Sequence, residues 1–109
     1  MSGYRLTRFA RVDLAEIWIY IARDNVEPAD RVEQSIYEAF DFVAAHPRLG
    51  HPRLILGAKA MRFWVVPQYR NYSVVYRPDT KPIDTANVAE ERIRRISRVG
   101  REPIPRFQA

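Results

Sequence analysis

The feature that most restricts this chain is a change of hydrophobic period partway along it. From about Phe9 to Arg23 the apolar residues Leu14, Ile17, Trp18 and Ile21 recur at helical spacing, with Asp13, Glu16 and Tyr20 off that stripe. Asp24-Asn25 breaks the pattern, and Pro28 stands where a first helical turn tolerates a missing N–H. A second helix is predicted from Pro28 to Ala45, with Ala29, Val32, Ile36, Phe40 and Val43 on one face; His46-Pro47 and Gly50 stop it. The period then shortens. Met61 to Val66 and Tyr72 to Arg77 are rich in β-branched and aromatic residues, and Pro67 to Asn71 between them reads as a turn.

Other segments are less regular. Tyr4-Arg5-Leu6-Thr7 alternates and reads as a short strand. Arg92 to Val99 spaces Ile93, Ile96 and Val99 by three, so helix and bulged strand compete, and the strand is favoured. Pro78 to Glu91, with two prolines and scattered polar groups, reads as a long loop. The short connection between the helices folds them back as an antiparallel hairpin whose apolar stripes share a third surface. The expected fold is one α+β domain over residues 1–109: an N-terminal strand and a helical hairpin packed on a largely antiparallel sheet of about four strands.

Charge is unevenly placed along the 109 residues. Met1 to His46 holds five arginines against eight acidic residues, whereas Pro47 to Ala109 holds thirteen basic against five acidic, so the net +5 belongs to the second half. Only Lys59 and Lys81 of the eighteen basic residues are lysines. Guanidinium groups fork onto phosphates and carboxylates and stack on planar groups, which points to a nucleic acid or an acidic protein segment as partner. There is no cysteine, so disulfides, thiolate metal sites and cysteine nucleophiles are excluded, in keeping with a reducing cytoplasm. No run approaches the ~20 apolar residues that span a bilayer, and no cofactor or metal site is expected.

In order and spacing the chain resembles the RelE/ParE toxin superfamily, and its ParE branch most. Tyr4-Arg5-Leu6-Thr7 with Ala10, Asp13-Leu14, Ile17 and Tyr20-Ile21-Ala22 resembles the family's first strand and helix. Ala29 to Phe40 followed by Pro47 and Gly50 resembles the second helix and its exit. Arg62 to Val66 and Tyr69 to Arg77 resemble the central hairpin. Arg95-Ile96-Ser97-Arg98-Val99-Gly100-Arg101-Glu102 resembles the last strand, with Arg98 at the usual histidine position and Val99 at that of the first glycine.

The resemblance implies a toxin silenced by a cognate antitoxin with an acidic C-terminal segment. Its antitoxin-binding residues would be Trp18, Arg62, Trp64, Arg77 and Arg95. RelE-type members cut messenger RNA on the ribosome, which needs one group to accept a proton and another to return it. Here Arg95, Arg98 and Arg101 would have to serve, and arginine does not give up its proton in proteins. His46 and His51 flank the helix exit and read as helix-end and loop residues; Tyr69, Tyr72 and Tyr76 read as packing residues, leaving Glu102 as the other candidate acid or base. ParE-type members instead inhibit DNA gyrase through a binding surface. Arg94, Arg95, Arg98, Arg101 and Arg106, with Phe107 and Trp64 as anchors, are the target-binding candidates, since arginines and aromatics dominate interface energetics. The alternatives are a ribosome-dependent endonuclease and a binding module without toxicity.

Overall fold

The structure, a computed structural model, describes residues 3–53 and 61–90. The elements run β1 (Tyr4–Leu6), α1 (Arg8–Ala22), α2 (Val26–Ala45), β2 (His51–Arg53), β3 (Met61–Val65), β4 (Tyr72–Arg77) and β5 (Ile83–Glu90). The strands form one sheet ordered β1-β5-β4-β3-β2, antiparallel except where β1 lies parallel to β5. This is the expected α+β architecture.

Local chemistry sets the helix ends. Thr7 caps α1, its hydroxyl accepting from Ala10 N–H at 3.1 Å. Asn25 caps α2 by accepting from Glu27 N–H, so the helix starts at Val26, two residues ahead of Pro28, which sits within the first turn. The inner face of α2 buries Ala29, Val32, Ile36, Ala39, Phe40 and Val43. All of these but Ala29 pack, with Leu14 of α1, on Tyr72, Val74, Tyr76, Ile83 and Val88, the side of the sheet that faces the helices. Met61, Val75, Ala86 and Ala89 form a smaller buried cluster, with Val75 on the opposite side from Val74 and Tyr76.

Two sequence expectations change. Pro78 to Glu91 is not a long loop: β5 occupies Ile83–Glu90 and lies inside the sheet, between β1 and β4. Asp84, Ala86, Asn87 and Ala89 carry little β-propensity, and a bulge breaks the alternation, because Val75 pairs with Asn87 while Tyr76 pairs with Thr85, leaving Ala86 extra. Strand pairing on both sides overrides the local signal. The sheet also gains an edge strand, β2, whose Pro52 has no N–H to reveal it by pattern. The strand expected over Arg92 to Val99 lies outside the described residues.

Candidate partner-docking site

The outer helix α1 is built into the sheet by its first residues. Strand β1 stops at Leu6 while β5 continues to Glu90, which would leave the rest of the β5 edge unpaired. The chain compensates as it turns into α1. Thr7 N–H donates to Thr85 O at 3.1 Å, Thr7 Oγ1 donates to Ala86 O at 2.7 Å, and Val88 N–H donates to Asp13 Oδ2 at 3.0 Å. Asp13 therefore does for β5 what the next residue of a longer β1 would have done. Helical spacing sets Asp13 off the apolar stripe; the structure instead buries it, because a backbone donor without a strand partner needs an acceptor.

With that edge fixed, the other side of α1 carries large apolar side chains that are exposed. Val12, Ile19 and Tyr20 are 47%, 54% and 54% exposed, and they lie at i, i+7 and i+8. Arg8 and Arg23 stand at the two ends of this stripe and Arg11 to one side, while Glu16, the one exposed acid in α1, lies within it at i+4 from Val12. The Arg8 guanidinium sits 5.3 Å from the Phe9 ring centre and that of Arg23 5.9 Å from Tyr20, so the flanking cations also lie against aromatic rings. Helix α2 differs in sign: Glu27, Asp30, Glu38 and Asp41 are exposed and Arg31 is its one basic residue.

A second aromatic feature lies where α2 meets β3. Trp64 stacks on Phe42 with ring centres 4.6 Å apart and planes 23° apart, and Phe42 in turn meets His46 at 4.8 Å. Beside the stack is a cleft of about 200 Å³ walled by Ser35, Glu38, Ala39, Pro67 and Gln68. Trp64 is half-buried, so it is both packing residue and cleft wall.

The remaining predicted residues that the structure describes are not gathered into one site. Trp18 is half-buried and its indole N–H donates to Asp30 Oδ1 at 2.9 Å, tying α1 to α2. Arg62 donates to Gly50 O at 2.6 Å and so serves the loop after α2. Arg77 follows Tyr76 in β4, on the sheet side away from the helices, and pairs in register with Asp84. Arg94, Arg95, Arg98, Arg101, Arg106 and Phe107 lie outside the described residues. The basic and acidic side chains of residues 3–53 and 61–90 cancel, eleven against eleven, so the net +5 resides in residues 54–60 and 91–109.

Tyr76 is structural. Its fully buried hydroxyl donates to Pro47 O at 2.8 Å and accepts from Gly50 N–H at 3.1 Å, closing the exit of α2. Burial pushes its pKa above the ordinary value, opposed by the Gly50 hydrogen bond and the Arg62 charge. A Cβ at Gly50 would collide with Tyr76 Oη, which explains the glycine. Sequence reading missed the Val12, Ile19, Tyr20 stripe, though the run Ile17-Trp18-Ile19-Tyr20-Ile21-Ala22 leaves α1 no polar side there.

Among the described residues no helix is long and apolar enough to cross a membrane. Comparison with known proteins adds a family signature: a description of the ParE toxin of type II toxin-antitoxin systems, parDE, matches residues 4–102. The chain is similar to Toxin ParE1 of Caulobacter vibrioides (strain ATCC 19089 / CIP 103742 / CB 15), 38% identical over 53 residues, which cover 48% of this chain and 55% of the relative. It thus spans about half the length of that relative.

Proposed function

Because this chain belongs to the ParE toxin family of type II toxin–antitoxin systems, we propose that it acts by gripping DNA gyrase and is silenced by an acidic antitoxin segment laid along α1. The observation that carries the docking half of this reading is the outer face of α1. A helix that is apolar on two sides has one side for its own core and one for something else. Arginines flank the open side, and an acidic segment that orders on binding gains both encounter rate and charge-assisted hydrogen bonds from them. The acidic outer face of α2 repels the same segment and so sets where it lies.

The target half rests on the arginines at the C-terminal end. Six of the last nineteen residues, from Glu91 onward, are arginine. Arg94, Arg95, Arg98, Arg101 and Arg106, with Phe107 and Trp64, would make the gyrase contact, while Arg95 with Trp18, Arg62, Trp64 and Arg77 remain candidates for the antitoxin. Such a target and partner place the protein in the cytoplasm.

Supercoiling by purified gyrase tests the reading. The chain should inhibit it, truncation of Arg95, Arg98 and Arg101 to alanine should relieve inhibition, and added antitoxin should do the same. Undiminished supercoiling together with transcript cleavage in the ribosomal A site would replace it with the endonuclease reading.

A further inference from the structure

At the end of the sheet away from the α1–α2 turn lies a cavity of about 750 Å³, within the size range of sites that take a drug-sized molecule or a few residues of chain. Both its walls are held by hydrogen bonds. One wall is the end of α2 and the loop after it, Ala44, Pro47 and Arg48, pinned by the Tyr76 hydroxyl on Pro47 O. The other is the β4–β5 turn, residues 78–82, where Thr80 Oγ1 accepts from Asp84 N–H at 2.9 Å and approaches Arg77 O. The floor is Gly3 and Ile83, joined by Ile83 N–H donating to Gly3 O at 3.0 Å. Gly3 packs so closely on α2 that a Cβ there would lie 3.1 Å from the Ala44 Cβ.

The lining is selective. Ala44, Pro47, Pro78, Pro82 and Ile83 make it apolar, and three of these are prolines without an N–H to offer. Its cations are Arg48 and Lys81, both exposed and neither in an ion pair among the described residues; Asp79 is the one acid. An apolar body with a negative end fits such a cavity.

We infer that this cavity captures the carboxy-terminal residues of the antitoxin segment, with apolar side chains among the prolines and the terminal carboxylate between Arg48 and Lys81. The inference rests on the antitoxin reading above, and it adds a second anchor at the far end of the molecule from the α1–α2 turn.

Fluorescence anisotropy with an N-terminally labelled peptide, Glu-Leu-Leu-Asp-Leu-Leu, tests the pocket without the antitoxin. The free acid should bind, and its amidated twin should bind about tenfold more weakly or worse, as loss of a charge-assisted hydrogen bond requires. Arg48→Ala/Lys81→Ala should lose the same factor, while Arg31→Ala, on α2, should lose nothing. Equal binding of acid and amide, or an unaffected double variant, overturns the inference. Full-length antitoxin is assayed separately, intact and without its last three residues. If the intact protein binds and the truncation changes nothing, the pocket is refuted and the antitoxin reading stands. If the intact protein does not bind at all, that reading fails, and the peptide result still decides whether the pocket takes a carboxylate.

Discussion

The two helices lie side by side, yet they divide their surfaces differently. Helix α2 is apolar within and acidic without: Ile36, Phe40 and Val43 are fully buried, while Glu27, Asp30, Glu38 and Asp41 face outward. Helix α1 buries Ala10, Asp13 and Leu14, but its outer side carries Val12, Ile19 and Tyr20 between arginines. Apart from Val26 at its start and Tyr37, whose ring meets Phe40, the first pattern is complete in a single chain. The second leaves apolar side chains exposed that make no part of the core among the described residues, and an exposed apolar patch is the kind of surface on which the proposed antitoxin segment would sit. On the proposed reading one helix serves mainly stability, and the other is shared between stability and recognition.

Substitutions separate the two roles, beginning with the largest effect. Phe40→Ala should cost about 3–5 kcal/mol in a urea unfolding experiment, because it empties a fully buried site at the centre of the core. Ile19→Asp should leave stability within about 0.5 kcal/mol, as surface changes do, yet weaken antitoxin binding by roughly thirtyfold if the stripe is an energetic centre of the interface. Equal antitoxin affinity for Ile19→Asp and the unaltered chain would erase the distinction drawn between the helices.

The anchors of the helices can be tested in the same way. Asp13→Ala removes the acceptor for Val88 N–H and should cost about 1–3 kcal/mol, the penalty for an unpaired buried donor. Tyr76→Phe acts at the exit of α2 and carries a pH signature. The folded chain holds the phenol neutral above its ordinary pKa, so Tyr76 contributes stability below the unfolded value of 10.0 and loses it as pH rises through the higher folded value. Unfolding measured from pH 8 to 11 should show the unaltered chain losing stability at the alkaline end more steeply than Tyr76→Phe.

Much of this was legible in the sequence, and the exceptions have physical reasons. The helices and the β3–β4 hairpin carry strong periodicity because each has one buried side. Strand β5 escaped notice because a central strand is specified by neighbours on both edges, and its own Asp84-Thr85-Ala86-Asn87 gives no alternation across the bulge. Asp13 looked like a solvent residue because periodicity reports side-chain polarity, whereas its burial is dictated by a backbone N–H seventy-five positions away. Trp64 stands out in the sequence as an aromatic residue, but its stacking partner Phe42 is set by helix–sheet docking, which one segment cannot reveal. The Arg62 side chain is likewise engaged by Gly50 O for reasons of loop closure.

Trp18 gives the smallest effect and the sharpest test of where the helices divide their work. Its indole N–H reaches Asp30 on the acidic face of α2, so the ring lies in the seam between the helices rather than on the open stripe. Trp18→Phe keeps an aromatic ring, though a smaller one, and deletes the donor; loss of the hydrogen bond should cost about 0.5–1.5 kcal/mol. A double-mutant cycle with Asp30→Ala should recover most of that cost as coupling. If the seam is only structural, antitoxin affinity should be unchanged by Trp18→Phe. A variant that keeps its stability but loses antitoxin affinity would move the docking site off the Val12, Ile19, Tyr20 stripe and into the groove between the helices, making α2 a participant in recognition.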